Sequence, residues 1–182
     1  MFRKLMNPIM RSTIFIAIIF FITVASFAQS KKDKIIADAT AAKAEFIKTD
    51  PKMASNFETA YGYVIFPNVG KGAVGVGGAS GNGVAYEHGA KIGMAKLTQV
   101  TIGFQLGGQS YREVIFFESK KDMDRFKENH IELSAQVSAV AAAAGASANA
   151  KYVEGVMVFT MQKGGLMYEA SVGGQKLKYE KG

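Results

Sequence analysis

The chain has 182 residues, 22 Lys+Arg against 15 Asp+Glu, 48% hydrophobic residues and no Cys. That much apolar surface excludes a disordered tail, because its burial can offset the loss of chain entropy. The missing cysteines exclude a disulfide framework, a zinc ribbon, an iron–sulfur centre and a thiol nucleophile.

Arg3, Lys4 and Arg11 precede an apolar run, Ile14 to Ala25, which leads into Ser26-Phe27-Ala28 and then Gln29. A basic start, a short greasy centre and small residues at the end form the pattern of a secretory signal peptide. The run is shorter than the roughly 20 apolar residues a membrane-spanning helix needs. With no Cys behind it, lipoprotein acylation has no acceptor. We expect removal of residues 1–28 and a periplasmic or secreted protein of residues 29–182, a single domain. Those 154 residues carry 19 basic and 15 acidic side chains, a net of +4. That is too mild a charge to argue for nucleic acid by itself.

From Lys31 to Ala60 the chain has no Gly. Ile35, Ile36, Ala39, Ala42, Phe46 and Ile47 recur at steps of three and four, the period of an amphipathic helix. Lys31, Lys32 and Lys34 crowd the expected start of that helix, where the dipole disfavours cations, so they ask for another reason to be there. Asp50-Pro51 reads as an N-cap with Pro at the first helical position, opening a short helix that turns Met53 and Phe57 inward.

At Gly62 the composition changes. All 20 Gly lie from there onward, 13 of them between Gly62 and Gly108. The period changes too, from helical to two. Tyr63 to Phe66 and Glu113 to Phe117 are short β-rich runs, and Val100, Ile102, Phe104 and Leu106 alternate as one buried face of a strand. Ser119 with Asp122 resembles a capping box, and Met123 and Phe126 supply the inward face of an inserted helix. Ile131, Leu133, Ala135 and Val137 alternate again. The run Ala139 to Ala150 reads as strand passing into loop, its small side chains suited to lie near Ala73 to Gly78. Val156 to Phe159 and Leu166 to Val172 flank a hairpin turn at Lys163-Gly164-Gly165. The expected fold is α+β. N-terminal helices precede a Gly-rich, mainly antiparallel curved sheet or barrel-like body of seven to ten strands with one inserted helix.

Chemistry finds little purchase. Gly75-Val76-Gly77-Gly78-Ala79-Ser80 places Ser where a dinucleotide fingerprint needs its third Gly, and strand rather than helix follows. Gly70-Lys71-Gly72 lacks the rest of a Walker loop. The segment reads instead as a tight hairpin with Ser80-Gly81-Asn82-Gly83 at its tip. His130 with Glu132, and His88 beside Glu87, fall short of the three or four ligands of a metal site. Glu113 and Glu118 flank an apolar run as exposed strand ends do, and no Gly-x-Ser-x-Gly elbow supports a nucleophile. We expect no enzyme, no metal and no cofactor. What remains is the first helix, whose Lys31, Lys32, Lys34, Lys43 and Lys48 lie beside Ile35, Ile36, Phe46 and Ile47. That mixture suits either an anionic membrane interface or a core-packed helix with a solvated outer face.

Taken together, several stretches resemble the SYLF domain, a lipid-binding family. They are Tyr61-Gly62-Tyr63-Val64-Ile65-Phe66-Pro67-Asn68-Val69-Gly70-Lys71-Gly72, Gly75 to Gly78 with Gly81 to Val84, Gln99 to Gln109, Ile115-Phe116-Phe117 and Lys163-Gly164-Gly165-Leu166. Their order covers roughly residues 34–178. The resemblance implies phospholipid binding without catalysis, with phosphoinositides as eukaryotic ligands and actin filaments as partners of some fungal members. An exported protein would meet envelope phospholipids in their place, and no nucleic acid. The family's basic N-terminal region corresponds in character to Lys31, Lys32 and Lys34. Lys43 and Lys71 complete the candidate lipid contacts, with an apolar surface or a cavity under the curved sheet expected to receive the acyl groups. The rival expectation is a structural or protein-interaction module of the bacterial cell envelope, pairing a partner with an exposed sheet edge or the Gly-rich hairpin.

Overall fold

A computed structural model describes residues 8–74, 76–102, 109–129, 131–163 and 172–182. The chain forms two compact units, Met1–Lys34 and Ile35–Gly182. Helix α1, Pro8–Thr49, runs through both. In the full chain this helix begins upstream of Lys31, Lys32 and Lys34; in an exported chain starting at residue 29 they would stand in its first turn, where the dipole disfavours cations. Within the second unit Ala39, Ala42 and Phe46 are buried, the stripe that the three- and four-residue spacing predicts.

Helix α2 is Met53–Thr59, with Met53 and Phe57 buried as expected. Its start differs from the expectation. Residues 51–52 form a turn, and Lys52 rather than Asp50 occupies the N-cap position. The Asp50 carboxylate is engaged elsewhere: it accepts the N–H of Lys52 at 3.2 Å and that of Ser147, 97 residues away, at 2.8 Å. One carboxylate oxygen thus still serves the turn that leads into α2, while the other is committed to the distant Ser147.

The described strands are β1 (Gly62–Val74), β2 (Val76–Glu87), β3 (Ala90–Ile102), β4 (Gln109–Phe117), β5 (Ile131–Glu132), β6 (Ala139–Ala141), β7 (Val156–Gln162) and β8 (Gln175–Lys181). Helix α3, Lys120–Lys127, is inserted between β4 and β5, capped by Ser119 with Met123 and Phe126 buried, as the capping pattern predicts. Among the described residues the eight strands form one sheet in the order β5-β8-β3-β2-β1-β4-β7-β6. Every pairing is antiparallel except β6 with β7, so the α+β expectation holds as a curled, mostly antiparallel half-barrel.

The curl follows from one contact. Four strand steps separate β8 from β4, about 19 Å across a flat sheet at roughly 4.8 Å per step. Yet Gln175 Nε2 of β8 donates to Glu113 Oε2 of β4 at 3.1 Å. Only strong bending brings those side chains together, and it defines their face as the concave one. Strand alternation then assigns Val64, Leu97, Ile115, Phe117 and Val158 to the concave core with Met123 and Phe126 of α3. Tyr63, Ile65, Val84, Val114, Phe116 and Phe159 belong to the convex core with Phe46, Met53 and Phe57 of α1 and α2.

Several local expectations need correction. Ser80-Gly81-Asn82-Gly83 is no hairpin tip; it lies within β2, paired on both sides with β1 and β3. The register shift around Phe66-Pro67 explains its composition. Pro67 cannot donate to a ladder, so β1 bulges there. The bulge brings the backbone so close to β2 that a Cβ on Gly83 would stand 2.5 Å from the Ile65 carbonyl oxygen. The alternation from Ile131 to Val137 yields only the two-residue β5, and Ala135 is exposed. The Ala-rich run does form strand, then loop and a short 3-10 turn at Ala146–Asn149, but β6 bonds to β7 rather than to the small residues of β1 and β2. Val156 to Phe159 is strand as expected. Phe104, Leu106, His130, the turn at Gly164-Gly165 and the run from Leu166 to Ser171 lie outside the described residues.

Candidate functional site

The five candidate lysines divide by environment. Lys31, Lys32 and Lys34 are exposed on α1 in the first unit, where neighbouring Asp33 accepts a hydrogen bond from Gln29 Nε2 at 2.8 Å. Lys43, in the second unit, is half-buried. Its Nζ donates to the Tyr63 hydroxyl at 3.1 Å and lies 4.7 Å from the centre of the Phe57 ring. There the ammonium is held by an aromatic surface, joining α1 to α2 and β1 through hydrogen-bond and cation–π attraction. Lys71 belongs to β1, its backbone paired with Ala79 and Gln109; its side chain lies outside the described residues.

Sequence reading missed a polar group inside the half-barrel. Glu113, expected as an exposed strand end, is fully buried, whereas Glu118 is exposed as expected. Gln175 Nε2 lies 3.1 Å from Glu113 Oε2 and 3.4 Å from the Tyr111 hydroxyl. Gln99 Nε2 donates to the Gly173 carbonyl at 2.8 Å. Burial pushes the Tyr111 hydroxyl far above the ordinary phenol range, and the charge and hydrogen bonding of Glu113 push it further. One signal was available: Tyr111, Glu113, Ile115 and Phe117 alternate, so Glu113 shares a face with two apolar residues.

Asp50 is a second buried carboxyl. Burial raises its pKa, but N–H donors from Ser147, Lys52 and Gly145 and the Ser147 side chain outweigh that, holding it below the usual carboxylate range. It clamps the α1–α2 junction to the 3-10 turn Ala146–Asn149, a structural role. His88 sits in the turn after β2 with a left-handed backbone, φ 49°, its ring 4.3 Å from that of Tyr61. Among the described residues no group of three His, Cys, Asp or Glu could hold a metal ion.

Residues 98–181 match the Ysc84 family, described as Las17-binding protein actin regulator. A curated protein, Beta cell expansion factor A of Aeromonas veronii, is 30% identical over 126 residues. The alignment takes in 69% of this chain and 48% of that protein, so the chain spans about half the length of the curated relative it matches.

Proposed function

We propose, for a chain whose residues 98–181 belong to the SYLF (Ysc84) family, that it is an exported, non-enzymatic phospholipid-binding protein. The family is associated with lipid binding and actin regulation. The observation that carries the lipid reading here is the set of exposed ammonium groups at Lys31, Lys32 and Lys34 on α1. Each such Lys near an anionic bilayer contributes about 1 kcal/mol, an attraction that salt screens. The basic, then apolar, then small-residue pattern of residues 1–28 supports export, which would direct the protein to envelope phospholipids. Lys43 serves in this reading as an internal strut between α1 and β1.

Flotation of the purified protein with phosphatidylglycerol vesicles should show binding that weakens with salt and with Lys31→Glu, Lys32→Glu and Lys34→Glu combined. Three charges of that size correspond to at least a hundredfold loss. Failure to bind vesicles of any envelope phospholipid would end the proposal.

A further inference from the structure

Within the second unit, α1 and α2 pack on the convex face over the rows of Tyr63, Ile65, Val84, Val114 and Phe116. Along β3 that same face then becomes bare. Ala95, Leu97 and Gln99 are buried on the concave side, while Lys96, Thr98 and Val100 between and beyond them are exposed. Val100, expected on a buried face, is 76% exposed. The register sets Lys96 directly opposite Lys178 of β8, and Thr98 opposite Lys176. On the other side Lys96 faces Asn82 and Thr98 faces Ser80, both exposed, so no bulky neighbour shields the ammonium groups.

Two lysines directly opposite on antiparallel strands repel and weaken the pairing. Nearby acids relieve this only loosely. Glu132 is 3.6 Å from Lys176 and Glu180 is 4.0 Å from Lys178, with all four side chains more than half exposed. Lys96 has no ion-pair partner among the described residues. In water, opposed ammonium groups, and a bare Val further along the same face of β3, stabilise nothing. Against an anionic bilayer the lysines would find phosphates and the Val would enter the headgroup layer. A convex surface can also meet a plane, which a concave one cannot.

We infer that Lys96, Lys176, Lys178 and Val100 form a second contact with anionic phospholipid bilayers, made by the sheet and not by α1. The inference rests on the lipid-binding reading above. The test uses the exported chain, residues 29–182, and vesicles of phosphatidylglycerol mixed equally with phosphatidylcholine. Lys96→Gln with Lys178→Gln should weaken binding about 30-fold, since each Lys near such a surface contributes roughly fivefold. Val100→Ser should weaken it severalfold. The thermal midpoint of the double variant should stay level or rise, because the opposed charges are gone. Binding of the double variant within twofold of the parent, while the α1 triple variant loses its binding, overturns this contact and leaves the first proposal standing. A lowered midpoint overturns the premise that the pair repels. A parent chain that binds no vesicle overturns both.

Discussion

The convex and concave faces of the sheet are made by alternate residues of the same strands, yet they are held by different means. On the convex side, rings meet rings. Phe57 of α2 packs edge-on against Tyr63 at 5.0 Å and Phe116 at 4.9 Å, and Phe159 extends the group at 6.0 Å from Phe116. Such contacts add to area burial, and they fix α2 on the convex face of the sheet. On the concave side Phe117, Phe126 and Tyr179 pack in sequence beside α3. Beyond them it turns polar at Tyr111, Glu113, Gln99 and Gln175. A covered face can be held by non-directional packing. A face that must close on itself uses directional bonds across the gap, because those set a distance as well as an attraction.

The sharpest way to break this contrast is Phe116→Ala. The variant should lose about 3–5 kcal/mol of unfolding free energy in a urea titration, through lost transfer and the cavity beneath α2. A loss of under about 1 kcal/mol would show that the rings do not hold α2 to the sheet. On the opposite face Gln175→Leu removes the donor facing both Glu113 and Tyr111. Its expected cost is about 1–3 kcal/mol, smaller than a deleted ring but far above that of an ordinary surface change. Parent-like stability would remove the polar bridge as the closing element of the curl.

Asp50→Asn should show the smallest effect, about 1 kcal/mol near neutral pH, and would sharpen how the convex helices are anchored. The native carboxyl titrates below its ordinary value, so its stabilisation is complete above the unfolded-state pKa of about 4. It is lost as pH falls through the lower folded value. Parent stability should therefore drop more steeply than that of the variant on acidification below about pH 4. Parallel pH profiles for the two proteins would contradict the clamp.

Where side chains obey a local period, the sequence was read correctly. The stripe Ala39, Ala42 and Phe46, the inward Met53 and Phe57, the cap at Ser119 and the strand from Val156 all stand as their spacing indicates. The misreadings share a cause: the deciding partner lies far along the chain. Glu113 resembled a solvated strand end because Gln175, which meets it, comes 62 residues later. Asp50 resembled a helix cap because Ser147 is invisible from its neighbours. Val100 belongs to an apolar alternation, but whether that face is covered depends on where α1 and α2 stop. Of the candidate lysines, Lys31, Lys32 and Lys34 are exposed as drawn, whereas Lys43 points into an aromatic surface that only the packing of α2 on β1 creates.

By itself, then, the order of residues determined most of the element types, the change from helix to sheet at Gly62 and the basic character of α1. Those properties arise from periodicity and charge acting over a few residues. Only tertiary structure decided the bulge that Gly83 accommodates, the polar bridge inside the half-barrel and the bare lysine pair on its convex side. Each depends on which strand lies beside which and how far the sheet bends, and bending is a property of all the strands together.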